Sequence, residues 1–535
     1  MVKSDRNLAL GLVLLQFVLM VGAAALSDGV HHADDLTHFL IARSAWASPA
    51  NFFDGWARPG CTTPLALVAA LGSVDTGWLL ARILNGAMAA ACAWLAFRAA
   101  ALMKVERPWT AALFTAVQPL FFMLGYTTLT EIPCALYLAL ALVFSLRGRV
   151  LAAAAMLSLT FVTRHECVAL GGVWLLWWAA ERARGRLSSG RIVLALAITL
   201  WAPVTVNAFG YYFTGLIPFK VFLEVKPSGG DYYGSGHPTT MILNWAVAAG
   251  PLLVLLVPFG LVALRRRIGW GLVAGTFLVY LGLHSLFFTF NLFASGGYPR
   301  FMTVVAVPAA ILAARGLGRL RETGSGREAW VGWMLIGIWV VIAAIMDLEL
   351  GRRYCAGPDA SKGWLVGRWG VRILVASSLL VLAVRRLRGP MTRLPLGGLA
   401  AGFLVLMHVL HFCVFARIPL KRLERHRQLV AMAHWVADEY PERTVVAASE
   451  WAVYGLDLPI RVNLEYPWHR IDSAPAGTLY ICDVVPGDWR MGKGARPVAH
   501  YVKSPAFRTL RFLEGAGGGI GIFEKRLPGS LRGPL

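Results

Sequence analysis

The stretch LALGLVLLQFVLMVGAAAL, Leu8 to Leu26, has no charged residue and is long enough to cross a bilayer as one helix. Two basic residues precede it, and the positive-inside rule places its N-terminal end in the cytoplasm. The next polar stretch, HHADDLTHFLIAR from His31 to Arg43, is therefore expected on the outer side of the membrane. Its adjacent acids, Asp34 and Asp35, make it a candidate reaction centre at the membrane surface.

An alternative for Leu8 to Leu26 is a signal peptide cleaved near the alanines that precede Ser27. We favour a transmembrane helix, because the apolar stretch is longer than the ~7–15 residues of a usual signal core. The polar stretch that follows faces outward in both cases.

The composition is that of a membrane protein with many spans. Of the 535 residues, 57% are hydrophobic and 15% are charged, and the mean hydropathy is +0.60, so a soluble domain would have nowhere to bury the apolar runs. The net charge of +22 does not indicate nucleic acid as a partner, because the arginines form short clusters between apolar runs, as in topology-setting loops. The seven cysteines show no CxxC or metal spacing, which indicates neither a disulfide framework nor a zinc site.

A window of ~19 residues identifies thirteen apolar segments, which predicts about thirteen transmembrane helices. If the first enters from the cytoplasm, alternation puts every dense arginine cluster on the cytoplasmic side. Two segments, Ile132–Leu146 and Val150–Thr163, are shorter than the ~20 residues of a straight span, so half-helices or a re-entrant hairpin stay open for them. The others are Leu8–Leu26, Trp78–Met103, Trp109–Gly125, Cys167–Ala180, Ile192–Phe213, Met241–Leu264, Ile268–Phe290, Phe301–Leu317, Ala329–Met346, Val371–Val384 and Leu396–Phe415.

The sequence changes character after Phe415. We predict a transmembrane module over residues 1–416 and a small α/β domain over 417–535, which the odd number of spans places outside the cytoplasm. A basic run at the start of this domain favours the opposite side, but a domain of this size can be translocated despite its charge. The predicted elements are an amphipathic helix over Lys421–Tyr440 and strands over Thr444–Ala448, Thr478–Val485 and Gly519–Lys525.

The acid pair precedes an amphipathic helical pattern that is expected to lie along the membrane interface. Adjacent residues diverge by ~100° on a helix, so Asp34 and Asp35 are expected to do different jobs. Two interpretations stay open: one acid points into a site, or both only cap the helix and complement its dipole. His38 lies three or four residues further on and can share a face with either acid.

Two further stretches place ionisable groups at the outer ends of apolar segments. TTLTEIP, Thr127 to Pro133, contains Glu131, and TRHE, Thr163 to Glu166, contains Arg164, His165 and Glu166. Ionisable groups at this depth are functional candidates, because they must be paired or face a wet cavity. The structural alternative is an ion pair, Arg164 with Glu131 or Glu166, that fixes helix packing.

Two outer loops add aromatic and basic residues. The loop from Tyr211 to His237 contains Lys226, Tyr232 and Tyr233. The tyrosine rings can stack on sugars, and the lysine ammonium group can neutralise a phosphate. Arg300 stands where the chain re-enters the membrane, as either a snorkelling anchor or a phosphate clamp. Interfacial Tyr and Lys are also ordinary membrane anchors, so that interpretation stays open.

In this order, the motifs resemble the GT-C class of integral-membrane glycosyltransferases, which take sugar from a polyprenyl-phosphate carrier on the outer face of the membrane. The matching stretches are HHADDLTHFLIARSAW, WARPGCTTPLALVAALG with LLARILNG, LTEIP, TRHE, YYFTGLIPFK and GGYPRFMTVVAVPAA, which together span about the first 320 residues. The sub-family resembled, bacterial arabinofuranosyl- and mannosyl-transferase-like proteins, shows a PNT tripeptide where this chain has Pro218, Phe219 and Lys220. This departure leaves the donor sugar open.

The resemblance implies an inverting transfer in which Asp34 or Asp35 is the general base on the acceptor hydroxyl. A cation must meet the anionic leaving group, and the candidates are, in order, Arg300, Lys226 and Arg164. No cofactor is certain, and a divalent cation held by the acids is an alternative to one of these side chains. The residues implied to orient the sugar or the acceptor are His165, Glu166, Glu131, Tyr232 and Tyr233.

The expected partners are a polyprenyl-phosphate-linked sugar donor, a glycan, lipid or protein acceptor, and membrane lipid. The expected location is the cytoplasmic (inner) membrane, with the N-terminus in the cytoplasm and the C-terminal domain outside. Two other functions stay open: a transporter or flippase of lipid-linked glycan, and a non-catalytic membrane scaffold. A transporter predicts internal repeats and polar residues near the bilayer midplane, and the ionisable residues lie instead at the outer ends of segments.

Overall fold

The computed structural model describes residues 3–53, 55–224, 235–262, 268–292, 297–322, 405–406, 408–413, 415–460, 471–484, 496–514 and 519–526. Most of the described part is helical, and the strands lie near the C-terminus. The helices are α1 (Lys3–Leu26), α2 (Ala33–Ser44), α3 (Pro59–Ala69), α4 (Val74–Leu102), α5 (Trp109–Ala116), α6 (Pro119–Gly125), α7 (Glu131–Leu146), α8 (Val150–Thr163), α9 (Leu170–Ala183), α10 (Ser189–Thr214), α11 (Pro218–Glu224), α12 (Thr240–Ala249), α13 (Pro251–Val262), α14 (Ile268–Thr289), α15 (Ala306–Glu322), α16 (Glu424–Glu439), α17 (Glu450–Leu456) and α18 (Val498–Lys503). The strands are β1 (Val445–Ala447), β2 (Leu479–Cys482), β3 (Phe507–Leu513) and β4 (Ile520–Lys525), and three 3₁₀ segments are Pro49–Phe52, His165–Ala169 and Pro299–Val305.

Among the described residues, five helical segments are long and apolar enough to cross a membrane, and a sixth is obtained if α12 and α13 count as one bent span. The shorter helices α7 and α8 have 16 and 14 residues and begin and end close to the predicted positions. Two predicted segments, Ala329–Met346 and Val371–Val384, lie outside the described residues, and Leu396–Phe415 is described only in part. The multi-pass helical fold is confirmed, whereas the number thirteen stays a prediction.

The predicted single segment over Trp109–Gly125 is wrong in detail, because the chain forms two short helices there. Gln118 separates α5 from α6 with an extended backbone, at φ −70° and ψ 118°. The cause is Pro119, since a proline disfavours the α conformation of the residue before it. The Gln118 amide donates to the carbonyl oxygen of Phe114 on α5 at 3.0 Å and to that of Ala306, at the start of α15, at 2.9 Å.

A second break bends the predicted segment Met241–Leu264 by 114° between α12 and α13. Gly250, at φ +82°, precedes Pro251, so a residue that tolerates positive φ meets one that starts a helix without an N–H. A Cβ atom at position 250 would also lie 2.6 Å from Cε1 of the His408 ring. Glycine is therefore required both by backbone conformation and by space.

His408 connects the two breaks through a single neutral ring. Its Nε2 lies 2.9 Å from the carbonyl oxygen of Val117, at the end of α5, and its Nδ1 accepts from the Leu252 N–H at 3.4 Å, at the start of α13. Both partners are backbone groups that a helix terminus leaves without an intrahelical bond. A histidine that donates from one nitrogen and accepts at the other satisfies both groups at once.

The C-terminal sheet has the strand order β1-β2-β4-β3. β1 pairs with β2 in parallel, and the other two pairs are antiparallel, so the sheet is mixed. Its core contains Tyr480, Tyr501 and Phe523. The predicted helix and three of the strands are confirmed. Strand β3 was missed because its residues FRTLRFL are mostly exposed and a bulge between Thr509 and Arg511 interrupts their alternation.

By internal contacts the chain divides into two compact units: residues 1–26, 82–205 and 219–419 form the first, and residues 27–81, 206–218 and 420–535 form the second. The second unit therefore joins the acid-pair loop to the C-terminal sheet. The Arg43 guanidinium on α2 binds both carboxylate oxygens of Asp457 at 2.6 Å, which raises the pKa of Arg43 above its usual value through this hydrogen bond. Arg43 also donates to the carbonyl oxygens of Ala69 and Gly72, so one side chain joins three segments of this unit.

The entry to α2 is held by a short backbone pairing in the second unit. The N–H groups of Asp28 and Gly29 donate to the carbonyl oxygen of Leu420 at 3.1 and 3.0 Å, and the Leu420 N–H donates to Oγ of Ser27 at 3.0 Å. A Cβ atom on Gly29 would overlap the backbone carbonyl group of Lys421. The chain ahead of the acid pair is thus fixed against residues that lie almost four hundred positions later.

We predict that His408→Ala lowers the thermal stability of the protein. The substitution removes this partner from the Val117 carbonyl and the Leu252 N–H, which are both partly buried, and a fully buried group left in this way costs ~1–3 kcal/mol. The measurement is the apparent melting temperature of the detergent-solubilised full chain, with the exposed His434→Ala as control. Equal melting temperatures for the two variants would show that His408 does not secure the helix breaks.

Candidate functional site

The acid pair occupies the first turn of α2. The residue that caps this helix is His32, whose Nδ1 accepts from the Asp34 N–H at 3.3 Å and lies 3.3 Å from Oδ2 of Asp34. Neither acid is therefore the N-cap, and both stand where a negative charge complements the helix dipole. The predicted helix is confirmed. Of the two capping roles considered for the acids, the structure shows the position in the first turn and not the N-cap position.

The two acids lie in different environments, as their angular separation on a helix predicts. The side chain of Asp34 is 20% exposed, whereas Asp35 is fully buried at 0%. His38, one turn further on, is also buried and stacks on Trp56 with ring centroids 5.9 Å apart. Of the two carboxylates, only that of Asp34 is open to a molecule that approaches from solvent.

A buried ion-pair cluster lies in the first unit, where α8 ends and α7 begins. The Arg164 guanidinium donates from Nη1 to Oε1 of Glu131 at 2.9 Å and from Nε to Oε1 of Glu166 at 2.6 Å. All three side chains are less than a tenth exposed. Arg164 thus forms an ion pair with both Glu131 and Glu166, and whether its role is structural or functional stays a prediction.

A second guanidinium joins the cluster from the 3₁₀ segment Pro299–Val305. Nε of Arg300 lies 3.6 Å from Oε1 of Glu131, and its guanidinium carbon lies 5.3 Å from the centroid of the Tyr298 ring. Phe301 contacts both cations, since its centroid is 4.6 Å from the guanidinium carbon of Arg164 and 5.5 Å from that of Arg300. Two guanidiniums thus face two carboxylates around one aromatic ring, and the charges of the four side chains balance.

Helix α14 contributes two groups that the sequence interpretation missed. Nε2 of His284 lies 3.8 Å from Oε1 of Glu166, and the rings of His284 and Tyr280 are 4.6 Å apart. Both side chains are buried, and the two residues lie one helical turn apart within a mostly apolar span. A polar pair at helical spacing within such a span was the available signal, because polar side chains in a membrane helix usually face a functional or paired partner.

The remaining predicted residues divide into those that the structure describes and those that it does not. His165 is buried, and its ring lies 6.0 Å from that of Phe219. Lys226, Tyr232 and Tyr233 lie outside the described residues. Because the acid pair belongs to the second unit and the ion-pair cluster to the first, a cavity shared by the two stays a prediction.

No group of three or more His, Cys, Asp and Glu side chains is arranged to hold a metal ion within the part of the chain that the structure describes. At the acid pair, Nδ1 of His32 and Oδ2 of Asp34 lie 3.3 Å apart and are two groups that could ligate a metal ion. They supply two protein donors, and a divalent ion usually takes further ligands from substrate or water.

We predict that Arg164→Met strongly destabilises the protein, by ~3–5 kcal/mol, because it leaves the Glu131 and Glu166 carboxylates buried without their principal cation. The measurement is the apparent melting temperature in detergent, with the exposed Arg182→Met as matched control. The further substitutions Glu131→Gln and Glu166→Gln in the Arg164→Met background should restore part of the loss. A loss that these neutral residues do not reduce would mean that charge is not what the cluster balances.

Comparison with solved structures finds two structures of ArnT from Cupriavidus metallidurans. The apo structure aligns with a TM-score of 0.60 at 15% sequence identity, over 96% of this chain and 98% of that chain. The structure bound to undecaprenyl phosphate aligns with a TM-score of 0.56 at 15% identity, over 98% of this chain and 99% of that chain. AglB from Archaeoglobus fulgidus, solved with an inhibitory peptide and a dolichol-phosphate, aligns with a TM-score of 0.46 at 11% identity, over 86% of this chain and 64% of that chain.

No protein-family model matches the chain, and no curated protein matches it significantly in sequence. The similarity to ArnT is therefore one of fold, and it extends over nearly the full length of both chains. The chain has the multi-pass helical membrane fold of the ArnT structures, with a small C-terminal mixed sheet.

Proposed function

We propose that the protein is a glycosyltransferase that moves a sugar from a polyprenyl-phosphate donor to an acceptor hydroxyl at the outer face of the cytoplasmic membrane. The observation that carries this proposal is the full-length likeness to ArnT, one of whose structures holds undecaprenyl phosphate. The orientation, with the N-terminus in the cytoplasm and the C-terminal domain outside, is supported by the distribution of arginines between apolar segments.

In this proposal Asp34 is the general base. A base must reach the acceptor hydroxyl, and Asp34 is the partly exposed member of the acid pair. Its carboxylate takes the hydroxyl proton as the acceptor oxygen forms a bond with the anomeric carbon. The bond from that carbon to the phosphate oxygen breaks on the opposite face, the electron pair leaves with the polyprenyl phosphate, and the configuration inverts.

Asp35 then acts as a positioning residue. Its side chain is fully buried on the face of α2 that also buries Phe39 and Ala42, so it does not reach a substrate in this conformation. A buried carboxylate is retained only where surrounding groups compensate its desolvation. We infer that Asp35 fixes the first turn of α2 and thereby the direction in which the Asp34 side chain points.

The developing charge on the phosphate requires a cation, and Arg300 fits this role better than Arg164. Arg164 is held by two short charged hydrogen bonds to Glu131 and Glu166, whereas Arg300 meets Glu131 at the longer distance of 3.6 Å. A phosphate that approaches a balanced cluster must compete with a carboxylate for a guanidinium, and the weaker pair is the easier to displace. Lys226 is the second candidate for the same role.

The other residues implied by the resemblance orient the donor sugar or the acceptor in this proposal. They are His165, Glu166, Glu131, Tyr232 and Tyr233. A divalent cation at the acid pair is a variant in which the metal takes over part of the charge stabilisation. Transfer that continues at an unchanged rate after extensive treatment with EDTA would exclude this variant and leave the cationic side chains in the role.

We predict that Asp34→Asn lowers the rate of transfer ~10²–10⁴-fold, the usual contribution of a general base. The measurement is transfer of labelled sugar from a synthetic polyprenyl-phosphate donor by the purified full chain. Asp35→Asn should lower the melting temperature as well as the rate, whereas Asp34→Asn should leave the melting temperature unchanged. Full turnover by Asp34→Asn together with a folded, inactive Asp35→Asn would assign the base to Asp35 instead.

We also predict that Arg300→Gln weakens use of the donor. The loss of a charge-assisted hydrogen bond to phosphate, ~1.5–3 kcal/mol, corresponds to an increase of at least about tenfold in the donor KM or an equal fall in kcat. The exposed Arg191→Gln is the matched control and should behave like the wild type. Unchanged kinetic constants for Arg300→Gln would move the role to Lys226, and the same assay on Lys226→Gln would then show the loss.

A further inference from the structure

A cavity of about 230 Å³ lies wholly within the second unit, at the beginning of α2. One wall is formed by Val30, Ala33 and Leu36, which lie on either side of the acid pair in the sequence. The opposite wall comes from the C-terminal domain, from the start of α16, the start of α17 and the end of β2. The domain that the resemblance leaves without a role thus forms a pocket with the helix that carries the proposed base.

The C-terminal wall combines a flat aromatic surface with polar groups. The ring of His426 is stacked on that of Trp451, with centroids 4.8 Å apart and an angle of 21° between the planes. Burial lowers the pKa of His426, the nearby cations Arg422 and Arg425 add to this effect, and Asp483 opposes it. His426 is therefore a neutral ring at pH 7, and it can both donate and accept a hydrogen bond.

The charge of the wall favours a neutral ligand with hydroxyl groups. Asp483 and Glu450 contribute two carboxylates, and two guanidiniums lie close to them: Nε of Arg425 is 3.8 Å from Oδ2 of Asp483, and the guanidinium carbon of Arg422 is 4.7 Å from the centroid of the Trp451 ring. These two carboxylates and two guanidiniums balance, which favours a neutral ligand over an anion such as a phosphate. Carboxylates are strong acceptors for hydroxyl groups, and a mostly apolar pocket with a few such groups is the usual design of a small-molecule site.

The size of the cavity limits the ligand further. Pockets for drug-sized ligands measure roughly 300–1,000 Å³, so this cavity suits a single sugar ring better than an oligosaccharide or a lipid chain. The polyprenyl chain of the donor therefore has no place in it. A ring held there contacts Ala33 and Leu36 in the first turn of α2, and Asp34, with its partly exposed side chain, belongs to the same turn.

We propose that this cavity binds the sugar ring of a glycan acceptor beside the first turn of α2, the turn that carries Asp34. The proposal rests on the proposed function for the role of the ring as an acceptor, but the binding itself does not depend on catalysis. It gives the C-terminal domain a part in acceptor recognition and restricts the acceptor to a neutral, sugar-containing molecule.

The binding test uses saturation-transfer NMR on the detergent-solubilised full chain with a panel of methyl glycosides of neutral hexoses and pentoses. We expect the wild type to bind at least one glycoside and to bind the corresponding sugar phosphate more weakly. Glu450→Gln, which removes one carboxylate, and Val30→Phe, which fills the cavity, should each weaken binding about tenfold or more. The exposed Glu439→Gln should bind like the wild type.

Two variants keep this test decisive, because Val30→Phe adds volume and Glu450→Gln adds none, and the melting temperature of each shows whether it is folded. Binding of the glycoside that persists unchanged in both folded variants, or no binding of any glycoside by the wild type, would overturn the proposal. Tighter binding of the sugar phosphate would overturn the neutral class of ligand.

A kinetic test separates this inference from the proposed function. If the wild type transfers sugar, Glu450→Gln should raise the KM for the acceptor about tenfold while donor hydrolysis without acceptor stays constant. If the wild type binds glycosides but transfers no sugar from any polyprenyl-phosphate donor, the proposed function fails and the binding site stands. Transfer with an acceptor KM that neither Glu450→Gln nor Val30→Phe changes would support the function and refute the site.

Discussion

The first unit depends on the balance of charge around Arg164. A guanidinium and two carboxylates in an apolar surrounding are tolerable only when each has an opposite charge within hydrogen-bonding distance, since desolvation otherwise costs several kcal/mol per ion. Glu131 begins α7, Arg164 follows α8, and Arg300 precedes α15, so the requirement for balance fixes the ends of three helices at one point. A set of groups assembled in this way is rigid before any ligand arrives, as electrostatic stabilisation of a reaction requires.

The helices of the same unit are interrupted, and the interruptions are satisfied by side chains. Pro119 and Pro251 end regular hydrogen bonding at two places, and Gln118 and His408 supply partners to the backbone groups left over. Broken helices are tolerated within a membrane protein where such groups are buried in protein and re-satisfied. Substitutions of Gln118 or His408 are therefore expected to destabilise the protein, because each side chain forms two hydrogen bonds to backbone groups.

Local sequence patterns predicted the elements whose cause is local. The uncharged stretch Leu8–Leu26, the short helices α7 and α8, and the amphipathic helix α16 were all predicted close to their observed bounds, because hydrophobic periodicity and flanking charges determine them. For Arg164, the sequence left a functional site and an ion pair as alternatives, and opposite charge indicated Glu131 and Glu166 as the partners of such a pair. The break at Gln118 was missed because an apolar run hides a single proline, which was outweighed by the hydrophobicity of its neighbours.

Contacts between residues that are far apart in the chain were not predicted from the sequence. Arg43 and Asp457 are 414 positions apart, and no periodicity relates them. Likewise, His284 joins the candidate site only because α14 packs beside the segment that carries Glu166, which a linear pattern does not encode. The cavity beside α2 is a further example, since its two walls come from opposite ends of the chain and neither wall shows a binding motif by itself.

The close contact at Gly29 has an evolutionary consequence. Where a backbone atom of one segment touches the backbone of another so closely that a methyl group would not fit, neither segment can drift in sequence or length without the other. The loop with the acid pair and the C-terminal domain form one structural unit, although a long helical region separates them in the sequence. A chimera that exchanges the C-terminal domain alone would have to bring the matching first loop with it.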